Sequence, residues 1–384
     1  MSIKTKRLLT RANKLYNKGE IDQAEFIYKD ILKSFSDNKD AKDGLQKIKN
    51  KKQQVTLSKD ELQSAVSFVN SGNIKEALEV IEPLIEKFPG EAILFNIRGV
   101  CNKTLQKFRS AIDDFNKAIM LKAEYAEAHY NLGVILREMG ENDGAANAYK
   151  KALSINNNYP NAHNNLGQLL LVNGDLYSSI DHLEWAVALK PDYAEAHNNL
   201  GSALLGINKV HDAIKSFKKA ASLKPDYATA FNNLGIGYQR LGEFDLAIES
   251  FQSAIDLSPG YTTAHHNLSG VKTYSENDSQ IIQMESLLAN NELSNQDRIF
   301  LSFALAKANE DLGNHKELFK HLHKGNKLRK KESNYSITKS EGHNEMIKLF
   351  FNSRSIKKYK QLQTDYTSIR PIFIVGMLRS GTSL

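Results

Sequence analysis

The sequence is poor in cysteine, tryptophan and proline, with one, one and seven of these residues among 384. A single cysteine, Cys101, excludes a disulfide within the chain and fits a reducing compartment. No stretch approaches the ~18 uninterrupted apolar residues of a membrane-spanning helix, and the basic start of the chain lacks the apolar core of a signal peptide. These absences predict a cytoplasmic protein without a membrane partner.

Negative charge is concentrated in the middle of the chain. Residues 58–312 hold 22 Lys/Arg and 32 Asp/Glu, a net charge of −10, although the whole chain carries +7. The positive excess lies in residues 1–57, with +7, and in residues 313–370, with +9. A nucleic-acid-binding protein concentrates positive charge on its main surface. The acidic middle therefore argues against a DNA or RNA partner.

The middle of the chain repeats itself every 34 residues, which is the interval between successive Leu-Gly pairs ending at Gly133, Gly167, Gly201 and Gly235. Places in the repeat are counted from the copy that begins at Ala126. Small residues recur at the eighth, twentieth and twenty-seventh places, and a large apolar residue fills the twenty-fourth. The twentieth place holds Ala77, Ala111, Ala145, Ser179, Ala213 and Ala247, and the twenty-fourth holds Ile81, Phe115, Tyr149, Leu183, Phe217 and Phe251.

This alternation of small and large residues has a direct packing explanation. Small residues let two antiparallel helices approach closely, and the large residue of the second helix fills the space between them. The pattern resembles the tetratricopeptide repeat. The resemblance implies an all-α, right-handed solenoid of antiparallel helix pairs with a concave inner face. The complete repeats are 58–91, 92–125, 126–159, 160–193, 194–227 and 228–261.

The sequence before and after the complete repeats is predicted to form further segments. A helix pair plus an extra helix is predicted over 5–52, before a solenoid over 58–273 whose last helix covers about 262–273. A helical neck is predicted over 276–368, including a degenerate repeat at 299–332. The final segment, 371–384, is predicted to begin an α/β domain with one strand and a phosphate loop.

Histidine recurs at the fourth place, in His129, His163, His197 and His265. Equivalent places of neighbouring repeats are about 10 Å apart, too far for these residues to share one metal ion. We interpret them as packing residues at a place where this repeat family usually carries a bulky aromatic residue. No metal is expected.

Asparagine recurs at the sixth place, and we name this set the asparagine ladder: Asn131, Asn165, Asn199, Asn233 and Asn267. Asparagine is a mediocre helix former, so its repetition needs an explanation. One interpretation is that each residue caps or cross-links neighbouring helices. The other is a row of amides on the concave face that holds an extended polypeptide partner. The array resembles the repeats of glycosyltransferases that add N-acetylglucosamine to Ser and Thr, where such a ladder binds peptide.

The end of the chain has the spacing of a phosphate-binding loop. Ile372–Val375 is a short branched run typical of a buried strand, and Gly376–Ser383 reads G-x-x-x-x-G-T-S. Backbone N–H groups and a helix N-terminus point at one anion in such a loop, and Arg379 adds a charge that can grip an oxyanion. Thr382 stands where ATPases and GTPases have lysine, which argues against nucleotide hydrolysis.

The string from Pro371 to Leu384 resembles the opening loop of sulfotransferases, in particular the group related to protein-tyrosine sulfotransferases. The resemblance implies 3′-phosphoadenylyl sulfate as co-substrate. It also implies that Arg379 is catalytic, contacting the bridging oxygen and stabilising the leaving phosphate. Leu378 replaces the usual proline without removing a donor. The residues implied to bind the co-substrate are Arg379, Ser380, Gly381, Thr382 and Ser383.

The predicted function is sulfuryl transfer to an acceptor hydroxyl, with the repeats binding a protein or peptide. We expect these residues to be the N-terminal part of that enzyme, because the base and the acceptor pocket would follow Leu384. The alternative is a non-enzymatic scaffold for protein–protein interaction. A weaker alternative, a repeat-bearing glycosyltransferase, is suggested only by the asparagine ladder.

For the 384 residues alone we predict no sulfotransferase activity and weak or no binding of 3′-phosphoadenylyl phosphate. The reason is that residues 371–384 supply at most half of one nucleotide site. Isothermal titration calorimetry with this nucleotide measures the affinity. Tight binding would contradict the prediction.

Overall fold

The computed structural model describes residues 3–54 and 57–333. Within these ranges every regular element is a helix and no strand is present, so the all-helical repeat architecture predicted from the sequence is confirmed there. The chain divides into two compact units, Met1–Leu246 and Ala247–Leu384. The strand and phosphate loop predicted over 371–384 lie outside the described residues.

The first unit consists of antiparallel helix pairs, each within one 34-residue repeat, preceded by three helices that share a core of their own. The three helices are α1 (Ile3–Asn17), α2 (Ile21–Ser34) and α3 (Lys39–Gln54). The pairs are α4 (Lys59–Asn70) with α5 (Ile74–Lys87), α6 (Ala92–Thr104) with α7 (Phe108–Leu121), α8 (Ala126–Glu138) with α9 (Asn142–Ile155), α10 (Pro160–Val172) with α11 (Leu176–Leu189), and α12 (Ala194–Gly206) with α13 (Val210–Leu223); α14 (Ala228–Leu241) begins the next pair.

The two helices of a pair are joined by a turn whose fifteenth-place residue has a left-handed backbone. Gly140 has φ +81° and Gly174 has φ +83°. Glycine adopts this conformation without steric cost, because it has no Cβ. At the same place Gln106 and Asn208 also have positive φ, at 58° and 63°. The geometry of the turn is therefore imposed by the pairing of the helices rather than by glycine alone.

Close approach at the eighth place sets the distance between paired helices. A Cβ added to Gly133 would lie 2.7 Å from the ring of Tyr149, and one added to Gly201 would lie 2.5 Å from the ring of Phe217. Real Cβ atoms do not approach other atoms so closely, so the ring at the twenty-fourth place occupies the volume that a side chain at the eighth would need. The predicted pairing of small and large places is confirmed in these repeats.

The division between the units falls within α15 (Phe244–Leu257). The second unit continues with α16 (Thr262–Ser269), α17 (Ser279–Ala289), α18 (Asn295–Asp311) and α19 (His315–Glu332). Helices α17 and α18 bury Met284, Leu288 and Leu301 in a common core.

One helix boundary in the second unit differs from the sequence prediction. The helix expected over 262–273 ends at Ser269, and Gly270 follows it. Helix α18 begins at Asn295, where Ser294 caps it by accepting a hydrogen bond from the backbone N–H of Asp297 at 3.1 Å. No helix within 3–54 and 57–333 is long and apolar enough to span a membrane.

Replacing Gly201 with alanine is expected to lower the free energy of unfolding by about 1–3 kcal/mol, the usual cost of overpacking a core. The added methyl group meets the ring of Phe217 at 2.5 Å. Urea unfolding followed by circular dichroism measures the effect. The matched control is Gly90→Ala, where an added Cβ has no atom within 4 Å and the backbone is not left-handed. Equal losses in the two variants would contradict the packing explanation.

Candidate functional site

The asparagine ladder lies on the first helix of each pair. Asn131 is on α8, Asn165 on α10, Asn199 on α12 and Asn233 on α14, and each of the four side chains is half-buried. Asn267 occupies the same place on α16 in the second unit. Because the helix pairs repeat with a fixed spacing, the four residues of the first unit form a row with one amide in each repeat.

Each ladder amide in the first unit donates a hydrogen bond to the fifth-place residue of the preceding repeat. The Nδ2 of Asn131 is 3.0 Å from the Oδ1 of Asn96. The equivalent bonds from Asn199 to Asn164 and from Asn233 to Asn198 both measure 2.9 Å. These bonds link the first helices of neighbouring repeats, which agrees with the cross-linking interpretation of the ladder.

One repeat carries tyrosine at the fifth place. Asn165 donates to the hydroxyl of Tyr130 at 3.2 Å. The ring of Tyr130 lies 4.8 Å from that of Tyr159 and 5.9 Å from that of Tyr149, measured between ring centres. The cross-link is thus kept, with a phenol hydroxyl as acceptor in place of an amide oxygen.

The acceptors of the ladder bonds form a second set, the backing residues: Asn96, Tyr130, Asn164 and Asn198. The three asparagines of this set are buried. The backing residues are absent from the site predicted from the sequence, although an amide recurring one place before the ladder is a visible signal. A buried asparagine is stable only if its polar atoms are bonded, and the ladder supplies one of the required partners.

The hydrogen bonds continue within repeats. Asn164 donates from Nδ2 to the Oδ1 of Asn165 at 3.3 Å, and Asn232 donates to Asn233 at 3.4 Å. A primary amide has two N–H donors and two acceptor lone pairs. Cross-linking uses one N–H of a ladder amide, and the bond within the repeat uses one lone pair. The second N–H and the second lone pair are not needed for either bond.

A row of tyrosines stands at the thirty-fourth place, just before helices α8, α10, α12, α14 and α16: Tyr125, Tyr159, Tyr193, Tyr227 and Tyr261. Burial raises the pKa of Tyr125 and that of Tyr193 to about 12. Their hydroxyls are therefore protonated at neutral pH and able to donate. Tyr193 also accepts a hydrogen bond from the Nδ2 of Asn164 at 3.4 Å. The tyrosine row joins the ladder network and is a second feature missing from the sequence prediction.

The fourth-place histidines each contact a backbone carbonyl, and two of them, His163 and His265, are buried as the packing interpretation expects. The Nε2 of His129 lies 3.1 Å from the carbonyl oxygen of Ala123, and the Nε2 of His197 lies 3.0 Å from that of Pro191. His163 and His265 make the same contact with the carbonyl six residues earlier, at 3.0 and 2.9 Å. A carbonyl oxygen only accepts hydrogen bonds, so Nε2 carries the ring proton in each case.

His163 has a partner that the other histidines of the column in the first unit lack. Its Nδ1 lies 3.0 Å from the Nδ1 of His182 on α11. Since the proton of His163 is on Nε2, its Nδ1 accepts and His182 donates. The ring of Trp185 stacks on His163 with 5.8 Å between ring centres. Burial lowers the pKa of both histidines, so both rings are neutral at pH 7.

The residues predicted from the phosphate-loop motif lie outside the described residues, so the structure does not place Arg379, Ser380, Gly381, Thr382 or Ser383. Among the described residues, no group of three or more His, Cys, Asp and Glu side chains converges as a metal site.

Comparison with known families identifies the repeats. Residues 133–174 match a family model described as TPR repeat, and residues 164–228 and 228–261 match two models described as Tetratricopeptide repeat. Residues 133–261 are therefore tetratricopeptide repeats, as the periodicity predicts. The matched segments do not include Pro371–Leu384.

Curated relatives share part of the chain. DnaJ homolog subfamily C member 3 of Homo sapiens is 28% identical over 136 residues, which is 35% of this chain and 26% of the relative. An uncharacterized protein of Aquifex aeolicus (strain VF5) is 33% identical over 115 residues, 30% of this chain and 15% of the relative. The chain thus spans about a quarter of the length of the human relative and a smaller share of the Aquifex aeolicus relative.

Among solved structures, the anaphase-promoting complex hetero-tetramer Cut9–Hcn1 is similar to this chain, with a TM-score of 0.52 and 21% sequence identity. The match covers 78% of this chain and 55% of that one. At this level of identity the similarity shows the helical-repeat fold alone.

The stability of the protein is expected to fall as the pH drops below about 6.5. Burial lowers the pKa of His265 in the folded state, so at acidic pH the unfolded chain binds more protons and is favoured. His265→Phe, which introduces the residue found at this place as Phe231, is expected to reduce the dependence. Thermal unfolding of the wild type and the variant between pH 5 and 8 measures the pH dependence of stability. An unchanged pH dependence in the variant would contradict the assignment.

Proposed function

We propose that this chain, a tetratricopeptide-repeat protein, acts as an interaction scaffold that binds an extended polypeptide along the asparagine ladder, on the concave face of the repeats. The observation that supports this proposal is the state of the four ladder amides in the first unit. Each of the four is fixed by a hydrogen bond to the preceding repeat and is half-buried, with a second N–H that takes no part in that bond.

A polypeptide backbone is the ligand that suits these groups. An amide N–H and an amide oxygen match the carbonyl and the N–H of one peptide unit. The ladder is neutral, so it recognises the backbone without selecting a charge. Because each amide is already held by its backing residue, less side-chain entropy is lost on binding than with a freely rotating asparagine.

The spacing of the ladder sets the length of the ligand. Neighbouring repeats are about 10 Å apart, and an extended chain rises about 3.3 Å per residue. Each repeat therefore faces about three residues of ligand. The ladder of the first unit, from Asn131 to Asn233, corresponds to an extended segment of about 9–12 residues.

Sulfuryl transfer is a second candidate function, carried only by the motif at Gly376–Ser383. In this proposal Arg379 is catalytic, the loop residues 379–383 bind 3′-phosphoadenylyl sulfate, and the repeats present a polypeptide acceptor. Its test is a transfer assay with radiolabelled 3′-phosphoadenylyl sulfate on the full gene product, with Arg379→Ala as the control. Equal transfer by the two proteins would overturn the role of Arg379.

The polypeptide proposal is tested with fluorescein-labelled neutral peptides of Gly, Ser and Ala, about 4, 8 and 12 residues long, by fluorescence anisotropy. Affinity is expected to rise with length up to about 12 residues. The ladder variant Asn199→Ala/Asn233→Ala is expected to weaken binding of the longest peptide at least about tenfold, a loss of about 1.4 kcal/mol.

The matched control is Asn164→Ala/Asn198→Ala, which breaks the same two cross-links from the other side. Both variants should lose a similar part of their stability, about 1–3 kcal/mol for each hydrogen bond that is broken. Only the ladder variant removes amide groups that face the ligand. If the two variants bind peptide equally well, or if the ladder variant binds like the wild type, the proposal is wrong.

A further inference from the structure

The histidine pair of residues 160–193 departs from the repeat pattern. His163 is at the fourth place of α10, and His182 is at the twenty-third place on α11. In the two neighbouring repeats the fourth place is also histidine, at His129 and His197, but the twenty-third place is Ala148 and Ser216. Packing of the solenoid therefore does not require a second histidine, and the pair calls for another explanation.

The ring of His163 is held in the orientation that a metal ligand needs. Its Nε2–H donates to the carbonyl oxygen of Asn157 at 3.0 Å, and the side chain is 2% exposed. A backbone carbonyl in this role fixes the tautomer of a ligating histidine and leaves the Nδ1 lone pair free for a metal ion. The carbonyl contact recurs along the whole column, so the repeat fold itself supplies the orientation.

The distance between the two Nδ1 atoms suits two ligands of one ion. They are 3.0 Å apart. With metal–nitrogen bonds of about 2.0 Å, two neighbouring nitrogens lie about 2.8 Å apart in a square-planar site and about 3.3 Å apart in a tetrahedral one. The observed separation falls between the two values. Chelation requires the His182 ring to turn, because its Nδ1 now donates to His163 and both lone pairs must then face the ion.

We propose that His163 and His182 chelate a divalent transition-metal ion through their Nδ1 atoms, with water completing the coordination. Imidazole ligands suit Cu²⁺, Ni²⁺ and Zn²⁺, and the affinity of such a site is highest for Cu²⁺. On binding, the proton of His182 moves from Nδ1 to Nε2, so two neutral rings become the ligands and no net proton is released. Two charged neighbours act on His182 in opposite directions: Asp181 raises its pKa and Lys150 lowers it.

The structure provides its own reporter for this site. Trp185 is the only tryptophan of the chain, and it stacks on the ring of His163. Bound Cu²⁺ or Ni²⁺ quenches a tryptophan at this distance. Quenching of the protein's tryptophan fluorescence therefore measures occupancy of the site directly, without an assay of function.

The test is a titration of the full chain with Cu²⁺, Ni²⁺, Zn²⁺ and Mg²⁺ in a non-chelating buffer, following tryptophan fluorescence. Cu²⁺ and Ni²⁺ are expected to quench saturably at a single equivalent, with Cu²⁺ binding more tightly, while Mg²⁺ has no effect and a chelator restores the signal. His182→Ala is expected to weaken Cu²⁺ binding at least about tenfold. Because Ala148 occupies the same place in the neighbouring repeat, the variant is expected to fold, which circular dichroism checks.

A gain-of-function variant completes the test. Ser216→His places a histidine opposite His197, whose Nε2 donates to Pro191 at 3.0 Å in the same way. In the His182→Ala background this change is expected to restore a single Cu²⁺ site, measured by isothermal titration calorimetry. The proposal is overturned if the wild type shows no saturable quenching, or if His182→Ala binds Cu²⁺ as tightly as the wild type. Failure of Ser216→His to restore a site would overturn the geometric explanation.

Discussion

The contact between a small eighth-place residue and the large apolar residue at the twenty-fourth place fixes the helix pairs of the repeats. Gly133 and Gly201 lack the Cβ that would meet Tyr149 and Phe217 at 2.7 and 2.5 Å. The ring can therefore lie directly against the backbone of the facing helix, which fixes both the distance and the register of the pair. Once each pair is fixed in the same way, equivalent places of successive repeats fall into rows.

Because of these rows, polar side chains of neighbouring repeats form hydrogen-bond networks. The cross-links from Asn131, Asn199 and Asn233 measure 3.0, 2.9 and 2.9 Å, which shows how closely the packing repeats. Hydrogen bonds weaken steeply with poor distance or angle. A polar cross-link between repeats is thus possible only because the apolar contact behind it is the same in each copy.

The sequence predicted the parts of the fold that depend on side-chain size. The 34-residue period and the pairing of helices follow from residues such as Gly201 and Phe217, which contact each other within one repeat. The contact of His197 is also local, because its partner Pro191 is only six residues earlier in the chain. The direction of the ladder bonds was not predictable in this way. It depends on the offset between neighbouring first helices, which brings the sixth place of one repeat beside the fifth place of the preceding one.

The remaining differences have local causes. The pairing of His163 with His182 depends on side-chain rotation across a helix pair, which periodicity does not encode. Helix α18 begins four residues before the degenerate repeat predicted at 299–332, because its capping residue, Ser294, lies outside the repeat pattern. The motif at Gly376–Ser383 stays a prediction, since it lies outside the described residues.

The proposed binding of a polypeptide along the ladder has a consequence for how that ligand would act on the protein. In a repeat protein, stability is close to a sum of terms for each repeat and for each interface between neighbours. The four ladder amides of the first unit belong to those interfaces, because each of the four bonds to a backing residue of the preceding repeat. A polypeptide that bonds to the same amides spans several interfaces at once, so its binding free energy adds to the coupling between repeats. The same ladder side chains would then both bind the polypeptide and hold neighbouring repeats together.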